Sequence, residues 1–579
     1  METNSENQLQ DFDMCLAISE KAINGGLKTA WAAWKKTKQI KDMLQLRLKN
    51  NNGEQTKEGL DVKIAAPTIS LSAENAGSLQ VQVTLKLESG TVYYNSDKML
   101  AEEKVRNWSF SFVTELGKRK TNLSTLKTAD EESYNDAVAI MNNAKANDPS
   151  LSESVFSLEY LFLELTHIDI TKLKATDIKG VPEDVDNKAL TVAKKALNEL
   201  TKGNMLNKDF MLGTVVRMTP SSFVPTLSLS DYTYGINRAS SAPTLDYLGM
   251  FGGRQLPRNI ETAKKKMPHA WVQPQMLGST KGSVAGVLVI SKNTFMYSYF
   301  APLFKKLLDR SALRTDVSKV YEKALPVLQD NYYTWDYLFE TSSVEVRAVD
   351  SVRQAILNAL ERSTIGDILS FSWGILSKIA DLIFRINQHS SWTISFKPQP
   401  GTNELLFEGN IFVNAAAVLE IEASLLFKSI NVEVGSQKIK GTQKFSGTIL
   451  LEGKADELDG DDMLSQFSVK PKLKDKIKFE KLILDTDSTG YISIQNFIGD
   501  ALKNTFIPYP SLRDALSATQ TAIGAKLANL VNDMIGKFSI DMTNYAFIPP
   551  GGGVLLYQRP HFSGSGDLFI DAIYKTPEA

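Results

Sequence analysis

The sequence predicts an α+β protein with antiparallel sheets, on three observations. The stretch SLQVQVTLKLES, residues 78–89, alternates apolar and polar residues for five repeats, which gives a strand one apolar and one wet face. VLEIEASLLFK repeats the pattern in the second half: Leu419, Ile421, Ala423, Leu425 and Phe427 fall on one side, and Glu420, Glu422, Ser424 and Lys428 on the other. Leu426 breaks the alternation. Finally, runs of strands are followed by long amphipathic helices, an order that favours α+β over repeated βαβ units.

Taken in order, the chain opens as a helix. Phe12, Cys15, Leu16, Ser19, Ile23, Leu27, Ala30, Trp31 and Trp34 recur at three and four, with a kink expected at Gly25–Gly26. NNNGEQTKEG marks a loop, and residues 60–116 then switch to period two, with Trp108, Phe110 and Phe112 alternating with Ser109 and Ser111. Helices are expected at 130–147 and 187–200, with β-forming residues at 155–170 and short strands through 210–248.

GSTKGSVAG, residues 278–286, marks a boundary that divides the chain into 1–285 and 286–579. Beyond it, Ser291 is placed to cap a helix, and further helices are expected at 317–328, 344–362 and 365–386, forming a helical insert at about 311–390. Period two returns over 392–485, helix over 492–536, and strands close the chain at 538–548, 554–557 and 568–574. The two halves therefore share an order of helix, long strands, helix, strands. A long strand with one apolar face must cover it with a second sheet, with a helix lying in a curled sheet, or with a ligand.

Composition narrows the function. At 579 residues the chain exceeds one compact core, and roughly two to four domains are expected. A content of 43% hydrophobic and 23% charged residues is that of an ordinary globular protein. The 65 basic and 66 acidic residues leave a net charge of −1, which speaks against a nucleic-acid binder. The basic clusters Lys35–Lys36–Lys38, Lys118–Arg119–Lys120 and Lys264–Lys265–Lys266 are short and read as solvated faces. The single cysteine, Cys15, excludes an intramolecular disulfide and a Cys-based zinc site, and reads as an inert buried thiol.

No window has the length needed to span a bilayer; the closest, residues 371–384, is broken by Lys378 and Asp381. METNSENQLQDFD has no secretory apolar core, so the protein is expected to be cytoplasmic as synthesised, with any release independent of a signal peptide.

The sequence gives no positive sign of catalysis. His167, His269, His389 and His561 share no ligand spacing, and there is neither a GxSxG elbow nor a GxxxxGK[ST] loop. GMFGG and PPGGG read as turns. DTDSTGYISIQN, residues 485–496, places Asp485, Asp487, Thr489, Gly490 and Ile492 as a calcium-binding EF-hand does, but Asn496 stands where the bidentate Glu belongs. A strand-to-helix turn is the expectation there, and the acidic DELDGDD reads as a hairpin tip. No metal or other cofactor is expected.

Three segments, FDMCLAISEKAINGGL, VLVISKNTFMYSYFAPLFKKLL and YAFIPPGGGVLLY…FSGSGDLFIDAIY, resemble the tubular lipid-binding (TULIP) superfamily, and within it the bacterial OrfX-type accessory proteins of toxin gene clusters. The resemblance implies an elongated protein of two TULIP-like modules, 1–285 and 286–579, each a long curled antiparallel sheet around a long amphipathic helix. It also implies a non-enzymatic role in binding lipid or phospholipid headgroups, with a toxin or a sister accessory protein as further partner. Leu79, Val81, Val83, Leu85, Trp108, Phe110, Phe112, Leu419, Ile421, Leu425 and Phe427 are then the candidate lipid-facing wall. The alternative is a solid-core structural or chaperone-like protein that binds a protein partner; an undetected hydrolase is the weakest reading. Burial is worth about 25 cal/mol per Å² whether a helix or an acyl chain supplies it, so alternation alone does not choose between a filled and a hollow tube.

Overall fold

The computed structural model describes residues 9–37, 43–72, 79–97, 99–129, 131–147, 156–202, 210–218, 227, 229–238, 241–267, 271–272, 274–277, 284–300, 314–316, 328–331, 334–336, 341–348, 379–425, 428–453, 468–475, 478–480, 483–489, 540–541, 546–548 and 554–575. The first part runs β1 (Met14–Ser19), α1 (Glu20–Thr37), β2 (Leu44–Lys49), β3 (Gln55–Ile64), β4 (Thr68–Ser70), β5 (Gln80–Ser96), β6 (Met99–Thr121), α2 (Leu123–Ala129), α3 (Glu131–Asn147), β7 (Phe156–Leu163), β8 (Ile178–Lys179) and α4 (Asn187–Lys202). It continues with β9 (Phe210–Met218), β10 (Leu229–Asn237), β11 (Thr244–Phe251), α5 (Ile260–Lys266) and β12 (Gly286–Ile290), ahead of a π-helical segment at Asn293–Phe300.

The second part contains β13 (Arg314–Asp316), β14 (Leu328–Asn331), β15 (Thr334–Asp336), β16 (Thr341–Ala348), β17 (Ile379–Pro398), β18 (Glu404–Leu425) and β19 (Lys428–Gly453). After these come β20 (Ser468–Leu473), β21 (Lys478–Phe479), β22 (Ile483–Thr489), β23 (Ile540–Asp541), β24 (Ala546–Ile548), β25 (Val554–Phe562) and β26 (Leu568–Lys575).

The fold is an elongated α+β arrangement of curled antiparallel sheets around helices. The ladders between these strands are antiparallel. The 26 residues of β19 alone have a contour of about 80 Å, more than the roughly 65 Å across a compact sphere of this chain length. One large sheet has the order β2-β3-β5-β6-β7-β9-β24, with β4 on β5 and β8 on β6. A second, β14-β16-β17-β18-β19-β20-β23, carries β21 and β22 on β19. A six-stranded sheet, β10-β11-β1-β12-β26-β25, draws strands from both sides of residue 285, and β24 joins the first large sheet through β9.

The first large sheet closes over two helices. Along α4, Ala189, Val192, Ala193, Ala196, Leu197 and Leu200 recur at three and four and are buried, which makes one face of the helix continuously apolar. That face packs on β5, β2 and β3. Asp186 holds the helix start by accepting from Lys188 N at 2.8 Å, and Asn198 Oδ1 accepts from Ile170 N at 3.1 Å. In α1, Ile23, Leu27 and Trp31 are buried in the same core, and Trp31 donates to the Ile64 carbonyl at 3.3 Å. Asn24 binds both the N–H and the C=O of Ile69 in β4, at 2.8 and 2.9 Å, which docks α1 along that strand as a neighbouring strand would.

Several sequence expectations stand, and others need correction. Period two over 60–116 is β3 to β6, and the helices expected at 130–147 and 187–200 are α3 and α4. Ser291 Oγ accepts from Thr294 N at 3.2 Å, as a cap does. The opening helix, however, begins only at Glu20, because MCLAIS is strand β1, paired to β11 and β12. All six of its residues are buried: Met14, Leu16 and Ile18 belong to the main core, and Cys15 and Ala17 to a second core on the other face with Ala263, Met267 and Trp271. A strand buried on both faces shows no alternation and reads like a buried helix. Gly25–Gly26 leaves α1 unbroken.

Within 311–390, the described residues are strands, with Val344 in β16 and 379–386 in β17, while 317–327 and 349–378, where most of the expected helical insert falls, lie outside the described residues. The helix expected at 492–536, the boundary residues 278–283 and the acidic stretch 456–462 lie outside the described residues.

Two glycines mark the curl of the first sheet. Gly90 in β5 has φ +148° and Gly59 in β3 has φ +156°, both on the glycine side of φ space. A Cβ on Gly90 would fall on the Asp61 carbonyl oxygen and sit 2.7 Å from Val62 Cα, both backbone atoms of the neighbouring strand. Gly90→Ala is therefore expected to cost about 1–3 kcal/mol, the usual range for a backbone forced into such a region. Urea denaturation followed by circular dichroism measures it; a midpoint equal to the parent's would show that the strand bends without needing the missing side chain.

Candidate functional site

The candidate wall residues of the first half come together, and protein covers them. Val81, Val83, Leu85, Trp108, Phe110 and Phe112 are each at most 5% exposed, and half-buried Leu79 packs beside them. All belong to one core with the inner faces of α1 and α4. The register explains this. Val83 stands opposite Phe112, Leu85 opposite Phe110 and Leu87 opposite Trp108, so both strands of the hairpin turn the same face inward. A narrow void bounded by Met14, Leu16, Val215, Leu229, Tyr232, Tyr247, Leu288, Phe547 and Tyr557 holds about 20 Å³. That admits one water-sized molecule and no acyl chain.

In the second half, Leu419, Ile421 and Leu425 lie in β18, where Leu419 stands opposite Phe384 and Ile421 opposite Leu382. Phe427 lies outside the described residues. The EF-hand-like segment begins as a strand: Asp485, Asp487 and Thr489 lie in β22, opposite Lys440, Lys438 and Ser436 of β19. An extended backbone cannot wrap these residues around an ion as a calcium loop does. Among the described residues no cluster of His, Cys, Asp and Glu could hold a metal ion, and no helix is long and apolar enough to cross a membrane. Cys15 is fully buried, and burial pushes its thiol well above the usual range.

The concavity that carries charge is elsewhere. An open cleft of about 560 Å³ lies between Lys118 of β6, Thr233 and Tyr234 of β10, Leu79, and Arg258–Asn259–Ile260–Glu261–Thr262 with Lys264 at α5. Its lining presents three cations, Lys118, Arg258 and Lys264, against one carboxylate, Glu261. Tyr234 is fixed by donating its hydroxyl to the Leu116 carbonyl at 2.9 Å, and burial, reinforced by Glu164 and Glu115, pushes its phenol up to about 12.

β10 is the edge strand of its sheet, and the cations close that edge. Arg217 Nη1 donates to the Ser230 carbonyl at 3.2 Å, Lys118 Nζ to the Tyr232 carbonyl at 3.2 Å and Lys264 Nζ to the Tyr234 carbonyl at 2.8 Å. These carbonyls lie two residues apart along the strand, so side-chain donors stand where a further strand's N–H groups would. Lys118 also lies 4.4 Å from the centre of the Tyr232 ring and 3.5 Å from Glu159 Oε2, while Lys264 pairs with Glu261 at 3.1 Å. Arg258 is exposed and, among the described residues, has no hydrogen bond or ion pair.

Sequence reasoning treated the clusters at 118–120 and 264–266 as separate solvated faces, and no local signal joins them. Only the placement of α5 over the β10 edge brings Lys118 and Lys264 into one cleft.

No protein-family model matches the chain, and no curated protein matches it. Among solved structures it is similar to P47 from Clostridium botulinum A2, at 9% identity over 98% of each chain with a TM-score of 0.40. It is also similar to P47 of Clostridium botulinum E1, at 9% identity over 98% of this chain and 100% of that one, with a TM-score of 0.38.

Proposed function

We propose that this chain is a non-enzymatic, TULIP-like protein that associates with membranes as an accessory to a bacterial toxin system, and that its first half is a filled tube. The observation that carries the reading is the packing of the β5 face, Val81 to Leu87, in one core with α4. With that face occupied by the protein's own helix, lipid is met at the surface, through headgroups. The three sequence segments that resemble OrfX-type proteins support the toxin context and a toxin or sister accessory protein as partner. The same filled core also supports the second reading, a solid structural or chaperone-like protein with a protein partner.

Native mass spectrometry after gentle purification, followed by vesicle flotation, tests both readings. The expected results are a mass at the chain's own 64.1 kDa and co-flotation with anionic vesicles. Lipid recovered with the protein would overturn the filled tube. Failure to float with any vesicle would overturn membrane association and leave the partner-binding reading.

A further inference from the structure

We infer that the cleft between β6, β10 and α5 is a binding site for a phosphate monoester, with Arg258 as its principal ligand. The assignment deepens the headgroup reading above but stands on the cleft's own geometry. An ammonium has three protons, and each lysine directs two of them at fixed acceptors. Lys264 serves the Tyr234 carbonyl and Glu261, and Lys118 serves the Tyr232 carbonyl and the charge of Glu159. Each is thereby held in place with donor capacity left over. Arg258 contributes a full guanidinium fork with no partner among the described residues.

The charge count sets the class of ligand. Three cations line the cleft against Glu261, and Glu159 behind Lys118 offsets part of its charge, which leaves an excess of between one and two positive charges for a phosphate monoester to balance. Three terminal oxygens also match one forked and two single donors better than the two oxygens of a carboxylate. The volume of about 560 Å³ and the open mouth leave room for the group that carries the phosphate. Leu79 and Ile260 provide an apolar rim beside the charges. Lys265 and Lys266, exposed on the same helix, add long-range attraction for an anion.

The shared chemistry fits a free phosphomonoester and a lipid headgroup alike, and the experiment separates them. Full-length protein is titrated with glycerol 3-phosphate by calorimetry, and separately floated with phosphatidylcholine vesicles with and without phosphatidic acid. Arg258→Glu is the test variant, because that side chain holds no other described residue in place. Lys172→Glu, at an exposed lysine outside the cleft, controls for net charge.

The expected result is a phosphomonoester affinity that falls at least about tenfold in Arg258→Glu and is kept in Lys172→Glu. Binding of glycerol 3-phosphate with no gain from phosphatidic acid assigns a free ligand to the site, and Arg258-dependent flotation with phosphatidic acid assigns a headgroup. Equal binding by parent and Arg258→Glu, or none by the parent to either probe, would overturn the site. Flotation with anionic vesicles that ignores Arg258→Glu overturns the cleft while leaving membrane association standing. Conversely, glycerol 3-phosphate binding without flotation keeps the cleft and removes the membrane reading.

Discussion

Replacing Trp108 by alanine is expected to cost about 3–5 kcal/mol, the range for deleting a fully buried large aromatic. Trp108 is the largest of the fully buried side chains, at 0% exposure, and stands opposite Leu87 in the β5–β6 pairing. Its indole N–H has no hydrogen-bond partner among the described residues, so the loss is one of packing and not of a polar contact. The strand bearing it is held by β5 on one side and by β7 and β8 on the other, which leaves the backbone little freedom to collapse into the cavity. Trp31 would be less informative, since its removal also breaks the bond to the Ile64 carbonyl and a stack on Trp34 with ring centres 4.6 Å apart.

Urea denaturation followed by circular dichroism measures the effect, with Met99→Ala as reference. Met99 is 73% exposed, and its loss is expected to stay within about 0.5 kcal/mol. A cost for Trp108→Ala below about 1 kcal/mol would mean that this face is not packed against protein. The variant also separates the two kinds of tube. A cavity cut into a filled apolar core stays dry and takes small apolar molecules, so added indole should recover part of the lost stability.

Legibility in the sequence followed the solvent. β5 and β6 were readable because water covers one face of each, and alternation records that asymmetry. β1 was not, because MCLAIS has a core on both sides and therefore no exposed residue to mark its phase. IADLIFRI, residues 379–386, fails differently. Ile379, Leu382, Ile383 and Ile386 satisfy a helical spacing, while Leu382, Phe384 and Ile386 satisfy a strand, and pairing with β18 decides for the strand. α4 was legible as a helix, but its role was not: nothing in its residues says that β5, rather than another surface, is what they cover. The cleft was the least legible part, since its charges come from residues 118, 258 and 264 and meet only in the folded chain.

The pH dependence of stability is expected to fall on Asp246. It lies in β11 between β10 and β1, is fully buried on the second-core side near Cys15, and burial raises its carboxyl from 3.8 to about 6. Thr244 Oγ1 donates to it at 2.5 Å and Asn237 Nδ2 at 3.4 Å, and both favour the charged form without offsetting the burial. The Trp271 indole N–H acts in the same sense without reaching hydrogen-bond geometry.

The sign follows from proton counting. A carboxyl with a raised pKa in the folded state binds its proton more tightly there than in the unfolded chain, so protonation favours folding. Its contribution is fully present below about pH 3.8 and is lost as pH rises through about 6. A gap of about two units corresponds to about 3 kcal/mol across that window. Asp246→Asn keeps an acceptor for Thr244 and removes the titration. The stability of the parent relative to this variant should therefore fall by about 2.4 kcal/mol between about pH 4 and about pH 7.5, read from urea midpoints at each pH. Taking the difference between the two proteins cancels the other titrating groups, which they share. A difference that is the same at both pH values would show that Asp246 is already ionised throughout, held by Thr244 and Asn237 more strongly than burial opposes it.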